Sequence, residues 1–216
     1  MTHGFQNASS GKIVSAIAAE IVANKAYLSE IDGKIGDGDH GVNMAKGFGK
    51  AADQITEQTS FHDALMILSN VLMGEIGGSM GPLYGMMFME MAGIISKSSL
   101  IDGKQFEAML RAGVNGITEI GGAKIGDKTL IDCAVPAMEA FSNTFASDGD
   151  FAKSLLAMRK AAETGRDSTV DMVAKIGRSA RLGERSRGVL DAGATSCCMI
   201  LTTMGTEISL RLNTAG

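Results

Sequence analysis

The segment Ile31-Asp32-Gly33-Lys34-Ile35-Gly36-Asp37-Gly38-Asp39-His40-Gly41 places three carboxylates within eight residues. Like charges at that density repel, and a hard divalent cation relieves the repulsion; an all-oxygen donor set suits magnesium or calcium. Glycines at 33, 36, 38 and 41 let the backbone fold sharply enough to turn the side chains inward. A solvated turn accounts for a single Asp-Gly pair, but three aspartates so close favour a metal site made by Asp32, Asp37 and Asp39. An EF-hand does not fit: counting from Asp37 puts Gly41 at the fifth position and Phe48 at the twelfth, where a bidentate glutamate is required.

Three further glycine-rich stretches carry chemistry of their own. Gly74-Glu75-Ile76-Gly77-Gly78-Ser79-Met80-Gly81-Pro82 opens into a helix, where exposed backbone N–H groups and the positive end of the helix dipole suit a phosphate; the same small residues would equally let two helices pack closely. Gly121-Gly122-Ala123-Lys124-Ile125-Gly126-Asp127-Lys128-Thr129 nearly matches a Walker A motif. It carries an extra residue, Asp127, before the Lys-Thr pair and no strand precedes it, so a P-loop is rejected and Asp127 is read as a helix cap. The stretch from Lys175 to Ser186 sets Arg178, Arg181 and Arg185 among glycines, followed by Asp191-Ala192-Gly193-Ala194; guanidinium groups there suit phosphoryl oxygens, whereas a lone arginine would be a solvated turn. Of the histidines, His3 and His62 are incidental, while His40, directly after the third aspartate, either contacts a ligand or makes a structural hydrogen bond.

These loops need elements to hold them, and the apolar residues recur at helical spacing: Ile13, Ile17, Ile21 and Leu28; Phe61, Leu65, Leu68 and Leu72; Phe106, Leu110, Val114 and Ile117; Leu130, Ala134, Met138, Phe141 and Phe145. The spacing predicts eight helices, over 10–30, 41–54, 61–75, 80–98, 104–119, 128–146, 150–176 and 192–212. Ser60 three before Asp63, and Ser168 three before Asp171, mark helix starts. The 28 glycines exceed the usual share of roughly 7%, and many gather in the first, third, fifth and seventh connections. In an up-and-down array alternate connections lie at the same end, so all four glycine-rich loops converge at one pole. The expected fold is all-α, an eight-helix antiparallel up-and-down barrel or bundle with its site at that pole, forming one domain over 1–216 with a loose segment over 1–9.

Composition narrows the partners. A net charge of −4 gives no electrostatic reason for nucleic acid or an anionic membrane. Three cysteines, an odd count without C-x-x-C spacing, argue against a disulfide framework and a zinc site and suit a reducing cytoplasm. No basic segment followed by an apolar run opens the chain, and the apolar stretch Leu83 to Ile95 is interrupted by Glu90 and too short for a bilayer.

Together the four loops resemble the L subunit, the nucleotide-binding subunit, of bacterial dihydroxyacetone kinases. The resemblance runs through Gly36-Asp37-Gly38-Asp39-His40-Gly41-Val42-Asn43-Met44, Gly77-Gly78-Ser79-Met80-Gly81-Pro82-Leu83-Tyr84-Gly85, Gly126-Asp127-Lys128-Thr129-Leu130-Ile131-Asp132, and Gly177-Arg178-Ser179-Ala180-Arg181-Leu182-Gly183-Glu184-Arg185-Ser186. It implies a barrel capped at one end by ADP or ATP, with two Mg2+ ions held by Asp32, Asp37 and Asp39. By position it also implies that His40, Gly41, Val42, Asn43, Ser79, Met80, Gly121, Leu130, Arg178, Asp191, Ala192 and Gly193 line the nucleotide. The ketone is expected on a partner K subunit, so no catalytic base is assigned to this chain. A phosphotransferase-system M subunit is a possible phosphoryl donor, and a homodimer is expected. Three positions depart from the family pattern: Met80 for a small polar residue, Arg181 for an aromatic one and Ala192 for proline, which also suits a paralogue acting on another short ketose such as erythrulose. Two other readings stay open from sequence, a calcium-binding module and a regulatory paralogue that binds partners without transferring a phosphoryl group.

Overall fold

A computed structural model describes residues 4–214 of the chain. Among these residues nine α-helices are found: α1 (Lys12–Ala23), α2 (Lys25–Ile35), α3 (His40–Ala52), α4 (Phe61–Glu75), α5 (Met80–Ile95), α6 (Gly103–Gly121), α7 (Ile131–Asp148), α8 (Phe151–Ser168) and α9 (Ala192–Thr214). Each packs on the next around a ring that closes where α9 meets both α8 and α1, which gives the expected all-α barrel. No helix among the described residues is long and apolar enough to cross a membrane.

The apolar stripes face inward. Ile13, Ile17 and Ile21 of α1 are fully buried, as are Phe61, Leu65, Leu68 and Leu72 of α4. With no tryptophan, the core relies on small aromatic clusters: Phe106 lies 5.2 Å from Phe141 and 5.6 Å from Phe151 between ring centroids. Helices α7 and α8 pack closely at Gly165, where a Cβ would meet the Asp132 carbonyl oxygen at 2.3 Å.

The single helix expected over 10–30 is two. Asn24 (φ −96°, ψ 12°) folds its side-chain amide back onto the Glu20 carbonyl at 2.9 Å, sharing that acceptor with its own backbone N–H at 3.1 Å. The N–H groups of Asn24 and Leu28 still donate to Glu20 and Asn24 four residues back, so the axis bends and does not reverse. The end-to-end alternation of the loops therefore survives the extra helix.

The helix expected over 150–176 stops at Ser168, and Ser168 ends an element instead of starting one. A short 3-10 turn, Thr169–Asp171, follows, and the chain then leaves as an irregular loop containing a second 3-10 segment, Ser179–Ser186, broken at Gly183 (φ 54°). The Ser60 cap is as expected, its hydroxyl accepting from the Asp63 N–H at 3.0 Å.

Of the segment 1–9 expected to be loose, residues 1–3 lie outside the described residues and the rest is tied down. A short strand β1 (Gly4–Gln6) pairs antiparallel with β2 (Leu100–Asp102), Gly4 opposite Asp102. Phe5 is buried edge-on against Phe61 at 5.7 Å. Asn7 donates to the Ser98 carbonyl at 2.8 Å and accepts from the His62 N–H at 3.0 Å. These contacts stitch the pole opposite the glycine-rich loops.

Candidate nucleotide and metal site

The four glycine-rich connections meet over a cavity of about 630 Å³ at one pole of the barrel, a size typical of small-molecule sites. Of the residues expected at the site, Asp32, Asp37, Asp39, His40, Asn43, Ser79, Met80, Gly121, Leu130, Arg178, Asp191, Ala192 and Gly193 line it.

Gly41 and Val42 do not. Gly41 faces α2: a Cβ there would lie 2.0 Å from the Lys25 carbonyl oxygen, so its role is to let α3 approach α2. Val42, one residue on around the helix, points outward and is 46% exposed. The departure at Arg181 is also an exposed position outside the cavity.

The three aspartates come from the last turn of α2 and the loop into α3. Each offers a carboxylate oxygen, and the three oxygens all lie within 4.8 Å of one another. Asp32 accepts from the His40 N–H at 3.3 Å, which draws the end of α2 onto the start of α3. Asp39 occupies the N-cap position of α3 but makes no side-chain cap, so its carboxylate is free for the cluster. Asp37 pairs with Arg178, reaching across from the loop before α9. An all-oxygen carboxylate donor set of this span fits Mg2+.

Beneath the aspartates runs a buried polar chain. His40 Nε2 lies 2.9 Å from Ser196 Oγ, which lies 2.7 Å from Tyr84 OH, and both hydroxyls reach the Gly193 carbonyl at 3.1 Å. Burial pushes the His40 imidazole down to about 4, against the opposing pull of Asp32, so it is neutral at neutral pH. Asp191 caps α9 by accepting from the Ala194 N–H at 2.7 Å, and burial at the cavity floor pushes its carboxyl up to about 7.

Residues 124–132 fold around two carboxylates. Asp132 accepts from Gly126 at 2.5 Å and Thr129 at 2.8 Å. Asp127, expected to cap a helix, instead accepts from Lys124 at 3.0 Å inside the loop, because α7 begins only at Ile131. Sequence reasoning missed Lys128, whose side chain is buried within this loop, and the apolar flank made by Leu83, Ile117, Ile120, Ile131 and Ile176. The Ile117 stripe was visible as helix periodicity, but nothing in a 3.6-residue repeat says that its last turn faces a ligand.

A second groove, of about 720 Å³, lies between α1, α9 and residues 55–58. Its charges are paired locally, Lys12 with Glu57 and Arg211 with Glu207. No loops converge there.

The DAK2 domain description matches residues 34–206. The chain belongs to the DAK2 domain family. Among family members, the ADP-binding subunit DhaL of the PEP-dependent dihydroxyacetone kinase 2 of Listeria innocua is 33% identical over 198 residues, covering 90% of this chain and 91% of that one. The corresponding DhaL subunit of Escherichia coli is 35% identical over 178 residues, covering 81% and 84%. Both relatives are named as subunits of a kinase. The fold is shared with the dihydroxyacetone kinase of C. freundii crystallised with AMP-PNP and Mg2+, at a TM-score of 0.68 and 22% identity, covering 91% of this chain and 33% of that longer one.

Proposed function

We propose that this DAK2 chain is the nucleotide-holding subunit of a dihydroxyacetone-type kinase, carrying ADP or ATP with Mg2+ in the polar cavity and delivering a phosphoryl group to a short ketose bound on a partner K subunit. The observation that carries the reading is the aspartate triad: three carboxylate oxygens within 4.8 Å of one another, facing the same cavity as four glycine-rich loops and Arg178. The names of the relatives, ADP-binding subunits of dihydroxyacetone kinases, support it.

Asp32, Asp37 and Asp39 would hold the Mg2+ ions, two in the reading favoured here. Bound there, Mg2+ would neutralise the charge of the diphosphate and of the phosphoryl group as it transfers. The chain's own residues then divide the work. Arg178, opposite the aspartates, is placed to give planar, charge-assisted hydrogen bonds to phosphoryl oxygens. The start of α5, whose N-cap Ser79 makes no side-chain cap, borders the same space, and the positive end of the helix there would favour a phosphate. Met80, Leu83, Ile117, Ile120 and Leu130 supply the apolar side against which a base can lie. Asp191 and the neutral His40 shape the floor between them. Phosphoryl transfer needs chiefly positioning and charge neutralisation, so no general base is required from this chain.

The phosphoryl donor in this reading is a phosphotransferase-system M subunit acting on resident ADP, with free ATP as the other source. Purified chain, its K subunit and Mg2+ should phosphorylate dihydroxyacetone or erythrulose when supplied with one of these donors. Mass spectrometry of the nucleotide released from purified protein separates the two, since tightly retained ADP marks a resident cofactor. Absence of ADP–Mg2+ binding by calorimetry, together with stabilisation by Ca2+ alone, would overturn the reading in favour of a metal-binding module.

A further inference from the structure

Lys128 has the sequence position of a phosphate-binding lysine and the surroundings of something else. It is 2% exposed and adopts a left-handed backbone conformation, φ 62°, uncommon outside glycine. Its ammonium reaches the carbonyl oxygens of Thr169 at 2.7 Å, Met172 at 3.2 Å and Val189 at 2.6 Å. A lysine ammonium has three protons to donate. All three are spent on backbone, and none is left for a phosphate.

The three acceptors are not scattered. Thr169 and Met172 lie where the chain leaves α8, and Val189 lies where it returns to α9. The excursion from α8 to α9, residues 169–191, carries Arg178 to Asp37 and ends at Asp191 on the cavity floor. Other bonds run between the same roots: the Gly188 N–H donates to the Val170 carbonyl at 2.7 Å, and the Asp191 N–H to Thr169 Oγ1 at 3.0 Å. The Arg187 guanidinium also donates to the Asp171 carbonyl across the roots, at an exposed site; Lys128 adds a buried charged group, and it adds it from a third segment, residues 124–130, which itself lines the cavity. A backbone bond from the Lys175 N–H to the Asp127 carbonyl at 3.1 Å runs alongside.

We infer that Lys128 is a positioning residue for the nucleotide site, a clamp whose buried ammonium fastens both roots of the 170–190 loop to the loop before α7 and so fixes where Arg178 and Asp191 stand. The inference rests on the nucleotide reading given above and deepens it, because it assigns the charge in the 126–130 motif to holding the loop and not to gripping phosphate. Its reach is local: the aspartates sit on α2 and the α2–α3 loop, and only Asp37, through its exposed pair with Arg178, touches the clamped loop.

The test compares wild type with Lys128→Met, which keeps length and apolar bulk but removes every donor. Hydrogen exchange is followed by mass spectrometry, ADP–Mg2+ affinity by calorimetry, and Mn2+ binding without nucleotide by electron paramagnetic resonance. The expected result is exchange at least tenfold faster across residues 173–190 with α4 to α6 unchanged, ADP–Mg2+ affinity reduced at least tenfold, and Mn2+ affinity within twofold of wild type. Wild-type exchange in the loop together with wild-type nucleotide affinity would overturn the assignment. So would a tenfold fall in nucleotide affinity with the loop's exchange unmoved, which would mean direct contact with the nucleotide. A parallel tenfold loss of Mn2+ binding would also overturn it, by showing a collapse of the whole pole. If Lys128→Met does not fold, Lys128→Gln, whose amide keeps two donors, is held to the same direction with at least a threefold change. Should wild type itself bind no ADP–Mg2+, the functional reading fails, while the exchange comparison still judges the clamp.

Discussion

Replacing Asp37 by asparagine separates a metal-binding role for the aspartates from a structural one, because the two roles give opposite signs. Without ligand, the Asp37 carboxylate sits within 4.8 Å of both Asp32 and Asp39. At that distance each repulsion costs at least about 0.9 kcal/mol even with water-like screening, roughly 2 kcal/mol for the two. Removing the charge also loses the pair with Arg178, an exposed arginine, and exposed pairs contribute about 0 to 1 kcal/mol. The net gain of about 1 to 2 kcal/mol should therefore raise the melting temperature of the ligand-free variant by roughly 2 to 8 °C, taking 2 to 4 °C per kcal/mol for a chain of this size. The response to ligand has the opposite order. ADP–Mg2+ at a hundred times its Kd stabilises the wild type by about 2.7 kcal/mol, roughly 5 to 10 °C, and the variant should show under about 2 °C. Differential scanning fluorimetry with and without ADP–Mg2+, and with EDTA as control, reads both quantities. A variant that melts several degrees lower without ligand and keeps the full ADP–Mg2+ shift would refute the reasoning, since the carboxylate would then be serving the fold.

Two buried groups at the site give opposing pH dependences. Asp191, raised to about 7 from 3.8, contributes stability that is fully present below pH 4 and lost as pH rises towards 7; His40, lowered to about 4 from 6.5, contributes stability present above 6.5 and lost as pH falls towards 4. Wild type should be nearly flat in melting temperature between pH 4.5 and about 6.5, whereas Asp191→Asn should rise steadily with pH there; parallel curves would refute the Asp191 shift. Gly41→Ala brings a Cβ to 2.0 Å from the Lys25 carbonyl and 2.7 Å from the Ser29 nitrogen, both backbone atoms that cannot step aside, so it should cost about 3 kcal/mol and lower the melting temperature by roughly 6 to 12 °C. Thermal unfolding checks it, and an unchanged midpoint would contradict the close α2–α3 approach. Cys133, Cys197 and Cys198 are all buried, and hydrogen bonding between Cys133 and its neighbours on α9, with burial, holds the Cys133 and Cys198 thiols well above the ordinary range. An aromatic disulfide reagent should label none of them in native protein and all three in denaturant; rapid native labelling would contradict the packing of α7 on α9.

Much of the site was legible in the chain because its signals are local. Asp32, Asp37 and Asp39 fall within eight residues, and the loops that face them are marked by glycine density that helices would not tolerate. The convergence of those loops followed from helix order, and it survived a wrong helix count only because Asn24 bends the first helix without turning it round. What stayed hidden was set by contacts distant in sequence. The end of α8 at Ser168 reflects the carbonyls that Lys128 draws from 41 to 61 residues away, whereas the apolar period alone runs on past that point. The His40–Ser196–Tyr84 chain joins positions more than 100 residues apart, and no spacing rule connects them. Gly41 falls outside the cavity for a related reason: His40 and Asn43 beside it line the space, but its own α-carbon faces a helix.

The strand pair and Asn7 at the far pole carry a consequence for how this molecule can move. A ring of helices sewn shut at its base, with its glycine turns at the rim, keeps its fixed seam at the bottom, away from the mouth. Opening the rim to admit or release a guest then leaves the Phe5–Phe61 seam and the helices rooted in it undisturbed, so turnover need not put the core at risk.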